Sequence, residues 1–240
     1  METRSQRFAR EQDMSVIEGV HAALITPRRE DSSVDLTAAL ELVDFACQSG
    51  MKGIAVLGTT GEFCHFSAED RLHLIQFAVK RSRVPVIANV SYPTLDGAIT
   101  LAREALSLGA DALLLMPPYF FAYGQEEIRE FYLRFVAAVG DHAPVLLYNI
   151  PAFTSGLDSE TVLDLLSTGR FAGIKDSSGD LALFLRVKGL RERVPFTFLA
   201  GNDSVFCDLR SRGADGVVSG TACAIPELMA ALDCAIISGE

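Results

Sequence analysis

Lys175 closes the apolar run Phe171-Ala172-Gly173-Ile174 and stands next to Asp176-Ser177. The chain has only four lysines, at 52, 80, 175 and 188, and arginine supplies most of the remaining positive charge. Burying an ammonium is costly unless it is paired with a carboxylate or placed where it can lose its proton. A desolvated lysine that sheds its proton attacks carbonyls to form imines; a lysine paired with Asp176 at a rim is the other reading. Tyr148 closes the preceding apolar run, Val145-Leu146-Leu147. A phenol within reach of such a lysine moves protons on and off a carbinolamine, whereas a tyrosine with its hydroxyl satisfied nearby only fills a core. Gly58-Thr59-Thr60-Gly61 offers two hydroxyls between glycines. A tight turn there exposes backbone N–H groups that can hold a carboxylate without a cation, and an ordinary polar turn has the same composition.

These groups need a frame that brings them to one place. From His21 onward, short apolar runs alternate with segments of helical period: 21–26, 53–58, 85–90, 110–117, 144–150, 171–176, 196–202 and 215–220, each followed by a helix. Ser67 and Asp70 form a cap ahead of the second helix. Three junctions, SGMKGIAVLG, LGADALLLM and RGADGVVSG, place a helix-ending glycine before an unalternating apolar strand. Strands without alternation are buried on both faces and belong to a parallel sheet. Eight βα units predict an α/β fold, a single-domain (β/α)8 TIM barrel over residues 18–240, after a polar, poorly ordered lead-in over 1–17. An open doubly wound sheet usually stops short of eight strands, and neither a G-x-G-x-x-G after the first strand nor a G-K-[ST] occurs.

Barrel enzymes keep their chemistry at the C-terminal strand ends. Gly58–Gly61, Pro117-Pro118-Tyr119, Tyr148-Asn149, Lys175-Asp176-Ser177, Gly201-Asn202-Asp203 and Ser219-Gly220-Thr221 fall there. Lys52 precedes the second strand, at the opposite end, and Lys80 and Lys188 fall on helices, so Lys175 alone points its amine at the catalytic end. Four histidines without ligand spacing predict no metal site, and His73 reads as helix packing. No serine–histidine–acid set is visible. The aromatic group Phe120, Phe121 and Tyr123 reads as rim packing or a contact between subunits.

Bulk composition agrees. A net charge of −10 argues against nucleic-acid or anionic-membrane partners. Five cysteines without paired spacing, mostly in apolar contexts, predict reduced thiols in a cytoplasmic protein. The polar start and the lack of an 18-residue apolar run predict neither a signal peptide nor a membrane span.

Gly-Thr-Thr-Gly-Glu at strand 2, Pro-Pro-Tyr at strand 4, Tyr-Asn-Ile-Pro at strand 5 and Gly-Ile-Lys-Asp-x-x-Gly-Asp at strand 6 together resemble the dihydrodipicolinate synthase / N-acetylneuraminate lyase family, from about His21 onward. The resemblance implies a class I aldolase that forms an imine with pyruvate or another 2-oxo acid and uses no cofactor. It makes Lys175 the imine lysine, Tyr148 the proton-relaying phenol, Thr59 the hydroxyl linking that phenol to a second tyrosine, and Tyr119 that tyrosine. Thr60, with the N–H groups about Gly58 and Gly61, becomes the carboxylate clamp. Ser177, Gly201, Asp203 and Gly220 would shape the second subsite, although Ser204 stands where the lyases carry a second acid. It also implies a homo-oligomer, dimer or tetramer. Phe153 departs from the pattern: the synthases carry an arginine there that grips the second substrate's carboxylate. A Schiff-base aldolase or lyase joining or splitting pyruvate and an aldehyde is therefore the expected activity. A synthase of the lysine pathway, a dehydratase and a non-catalytic 2-oxo-acid-binding paralogue are the alternatives. Family members usually continue into a C-terminal helical extension, which this sequence, ending at Ile-Ser-Gly-Glu, is expected to lack.

Overall fold

The fold is that of a computed structural model that describes residues 17–140 and 144–239. Its elements alternate: β1 (Gly19–Ala23), α1 (Leu36–Gln48), β2 (Gly53–Val56), α2 (Ala68–Arg81), β3 (Val86–Asn89), α3 (Leu95–Ser107), β4 (Ala112–Leu115), α4 (Gln125–Val139), β5 (Val145–Asn149), α5 (Ser159–Ser167), β6 (Gly173–Asp176), α6 (Leu181–Lys188), β7 (Thr197–Ala200), α7 (Phe206–Ser211), β8 (Gly216–Ser219) and α8 (Pro226–Ser238). Every neighbouring strand pair is parallel, and β8 returns to β1 to close the barrel. Each strand residue is buried, because one face meets the lumen and the other the helices.

The local devices are those the sequence names. Gly50, Gly109 and Gly213 all adopt positive φ, at 80°, 96° and 99°, where a side chain would be strained. Ser67 caps α2 by accepting from the Asp70 N–H at 3.1 Å, and its hydroxyl donates to the Asp70 carboxylate at 2.7 Å. Asp35, Asp158 and Asp180 cap α1, α5 and α6 in the same way.

Two expectations are corrected. β1 runs from Gly19, not His21, because Gly19 pairs with Gly216 and the chain leaves the sheet before Ile25, which is 49 % exposed. His73 lies on the solvent face of α2, so it does not pack. The five cysteines are free thiols, with Cys64, Cys207 and Cys234 exposed. The lead-in lies outside the described residues apart from Ile17, which is buried.

Candidate active site

β5 and β6 form the centre. Tyr148 and Lys175 are register partners in adjacent parallel strands, so their side chains share one face. The Lys175 Nζ sits 4.2 Å from the centroid of the Tyr148 ring. Thr59, just beyond β2, places its Oγ1 2.5 Å from the Tyr148 hydroxyl. β3 and β4 separate β2 from β5, so this hydrogen bond spans the barrel mouth and fixes both groups on the lumen side.

Lys175 is 4 % exposed and makes no ion pair among the described residues. Its alternative partner is engaged elsewhere: Asp176 accepts from Asn149 Nδ2 at 2.7 Å and from Ser178 Oγ at 2.7 Å. Alternation turns that pair to the opposite strand face, one rung beyond Tyr148 and Lys175. Burial raises the Asp176 carboxyl above its usual range, against the two donated hydrogen bonds. The Asn149 Oδ1 accepts from Leu157 N at 2.9 Å, which ties down the 151–157 loop.

Gly201, just after β7, makes room for the lysine. A Cβ there would lie 2.1 Å from Ser177 Oγ, 3.0 Å from Lys175 Cε and 3.1 Å from the Asp176 carbonyl. Gly201→Ala is therefore expected to cut turnover by about a hundredfold through displacement of the amine. Its melting temperature should fall by only a few degrees. Steady-state kinetics beside a thermal melt checks this, and undiminished turnover would show that the lysine has slack.

Of the other residues singled out in the sequence, Ser177 donates to the Gly201 carbonyl at 3.2 Å. A Cβ on Gly220 would lie 3.6 Å from Thr60 Oγ1, which sets the end of β8 beside the exposed Thr60. Asp203 accepts from Thr221 N and Oγ1 through Oδ2, leaving Oδ1 buried and without a hydrogen bond. Two residues stand apart. Tyr119 packs edge-on against Phe63, at 5.7 Å between centroids, and makes no hydrogen bond to Thr59 among the described residues. Burial raises its phenol pKa. Phe153, in the loop after β5, is 66 % exposed, with its backbone N–H donating to the Ile150 carbonyl at 3.0 Å.

Sequence reading passed over Asn89, Ser91 and Arg71, all buried. Arg71 donates to the carbonyls of Asn89 and Ser91 at 2.9 and 3.1 Å, and its guanidinium lies 5.1 Å from the Phe63 ring centroid. Burial lowers it to about 10, which leaves it charged at neutral pH. The available signal was a polar residue closing an otherwise apolar strand, as in Val-Ile-Ala-Asn and Leu-Leu-Tyr-Asn. No group of three His, Cys, Asp or Glu side chains is arranged to hold a metal among the described residues, and no helix there is long and apolar enough to cross a membrane.

Residues 16–240 match the Dihydrodipicolinate synthetase family. The chain belongs to this family. It is 37 % identical over 230 residues to the 4-hydroxy-tetrahydrodipicolinate synthase of Laribacter hongkongensis, covering 94 % of this chain and 77 % of that one. The Pseudomonas putida synthase is 36 % identical over 232 residues, with the same coverage. Among solved structures, the chloride-inhibited dihydrodipicolinate synthase of Acinetobacter baumannii, complexed with pyruvate, superposes with a TM-score of 0.87 at 31 % identity, covering 93 % of this chain and 77 % of that one. YagE, an Escherichia coli prophage protein of the same family in complex with pyruvate, gives 0.87 at 27 %, covering 93 % and 76 %. The family fixes the class: this is a Schiff-base-forming lyase of the class I aldolase type. The finer choice lies between the aldolase expected from the sequence and the synthase activity for which these relatives are named, and the relatives favour the synthase.

Proposed function

We propose that the protein condenses pyruvate with an acidic semialdehyde, as a 4-hydroxy-tetrahydrodipicolinate synthase, through an imine on Lys175. The observation that carries the imine is the Tyr148–Lys175 rung, with an amine 4 % exposed, without an ion pair among the described residues, beside a phenol that Thr59 orients. The neutral Nζ adds to the C2 carbonyl of pyruvate to give a carbinolamine. Tyr148 passes a proton to the departing hydroxyl, which leaves as water, and the iminium forms. Loss of a proton from C3 gives the enamine, whose carbon attacks the aldehyde. In this reading Thr60 and the N–H groups of the turn hold the pyruvate carboxylate.

The semialdehyde half rests on the relatives' names. Phe153 favours a second reading, in which the aldehyde carries no carboxylate, because no cation stands at that place in the loop. Purified protein supplied with pyruvate and either an acidic semialdehyde or neutral hydroxyaldehydes separates the two. A kcat/KM at least about tenfold higher for the acidic substrate supports the synthase; the reverse order supports the aldolase. Self-association belongs to the same reading. Phe120 and Phe121, 86 % and 66 % exposed and packed edge to face, offer an aromatic pair for a second copy to cover. Five free thiols fit a reducing compartment.

A further inference from the structure

The turn bearing Thr59 and Thr60 does not hold its own shape. Leu57 enters it at φ 59° and Glu62 leaves it at φ 53°, both in the left-handed region that non-glycine residues avoid. Conformations of this kind persist only where surrounding contacts impose them. At the far end Thr26 Oγ1 donates to the Gly61 carbonyl at 2.8 Å. At the near end Asn89 Nδ2 donates to the Leu57 carbonyl at 2.6 Å.

Asn89 closes β3 and is wholly buried, and its amide has one orientation. Its Oδ1 accepts from Ser91 Oγ at 2.5 Å, and Ser91 Oγ in turn accepts from Met116 N at 2.9 Å. The Ser91 proton is committed to Asn89, so only the amide nitrogen is left to face Leu57. Arg71 grips the same segment from α2 through the carbonyls of Asn89 and Ser91. The near end of the Thr-Thr turn is thereby held through side chains of Asn89 on β3, Ser91 just beyond it and Arg71 on α2.

We propose that Asn89 is a positioning residue for the reaction: by holding the Leu57 carbonyl it keeps Thr59 against the Tyr148 hydroxyl, with Ser91 and Arg71 as its supports. The inference rests on Tyr148 being the proton carrier. Asn89 touches no reacting atom and acts through Thr59. A residue that only stabilised the barrel would lower the melting temperature and leave the rate per folded site and its pH dependence unchanged.

The experiment is a double-mutant cycle on imine formation with pyruvate, followed by rapid-quench borohydride trapping across pH and normalised to folded protein. Asn89→Asp keeps the size and the acceptor for Ser91 but sets an oxygen against the Leu57 carbonyl. Thr59→Val removes the hydroxyl that Asn89 is said to place. Thr59→Val is expected to slow imine formation by about tenfold or more and to shift its pH profile. Asn89→Asp should reproduce that shift and most of the slowing. The double variant should be within about threefold of Thr59→Val alone, since coupled residues are not additive. A normal profile for Asn89→Asp beside a slow Thr59→Val overturns the proposal alone, as does an Asn89→Asp effect that multiplies that of Thr59→Val. A normal Thr59→Val overturns the reading of Tyr148 and this proposal with it. Ser91→Ala, which keeps the donor but frees the amide, should give the same signature at smaller amplitude. If Asn89→Asp does not fold, a normal profile for Ser91→Ala overturns the proposal.

Discussion

Lys175→Ala is expected to lose turnover by at least about 10⁴-fold and to yield no pyruvate adduct on borohydride treatment, because no other lysine among the described residues stands at a C-terminal strand end. The fold should survive. Lys175 makes no ion pair among the described residues, and what is lost is its buried stem with the amine that lies 4.2 Å from the Tyr148 ring centroid. Lys175→Met, which keeps that stem, should melt close to the parent and be equally inactive. Tyr148→Phe should behave differently. It leaves the nucleophile in place but deprives Thr59 of its 2.5 Å partner, so imine formation slows by about 10²- to 10⁴-fold while the adduct still forms on Lys175. Intact-mass and peptide-mass analysis after trapping distinguishes the three variants. A turning-over Lys175→Ala protein would end the Schiff-base reading, and a Tyr148→Phe protein with normal imine formation would remove only the phenol.

The contrast between those variants follows the division between what the sequence made legible and what it did not. Strand positions were legible because a strand buried on both faces must be apolar throughout. Three starts fell two residues off: β1 begins at Gly19, before the apolar run read for it, whereas β4 and β6 begin at Ala112 and Gly173, inside theirs; Leu24 and Ile25 also extend the first run past the point at which the sheet ends. Tyr148 and Lys175 were legible as neighbours because parallel pairing puts equivalent strand ends side by side. The support was not. Arg71 lies 18 and 20 residues from the carbonyls it holds, and Asn89 reaches a carbonyl 32 residues away. Such contacts follow from barrel closure and leave no periodic trace. Tyr119, which the resemblance links to Thr59, turns its ring onto Phe63 within the single chain. A strand end fixes a residue's height in the barrel and leaves its rotamer to the neighbours.

The barrel should also lose stability in mild acid, through His21. This residue lies in β1, opposite Gly53 in register, and is wholly buried. A Cβ on Gly53 would lie 2.2 Å from its Nδ1, so the ring occupies the space that a side chain on β2 would fill. Its nitrogens sit near the Glu18 carbonyl without a hydrogen bond of normal geometry. Burial lowers its pKa from 6.5 to about 4, the cost of charging an imidazole away from water. The unfolded chain thus takes up a proton near pH 6.5, whereas the native one resists until about pH 4. Stability from this group is complete above pH 6.5 and falls through that window, by about 2 kcal/mol at pH 5 and about 3 kcal/mol at pH 4. The carboxylates of Asp31 and Asp44, held below their usual 3.8 by hydrogen bonds from Ser33 and Arg81, contribute their own loss only below this range. Asp176 works in the opposite sense. Its raised pKa lets the native state take up a proton first, which offsets part of the loss at the acid end. Urea unfolding at pH 7, 6, 5 and 4.5 measures the slope directly. His21→Gln, which cannot titrate, should be less stable at pH 7 but flatter with pH. A parent protein equally stable at pH 7 and pH 5 would mean that His21 reaches water or an acceptor in the native state or that Asp176 offsets its loss; a His21→Gln slope equal to the parent's shows the first, and a His21→Gln protein that gains stability toward pH 5 shows the second.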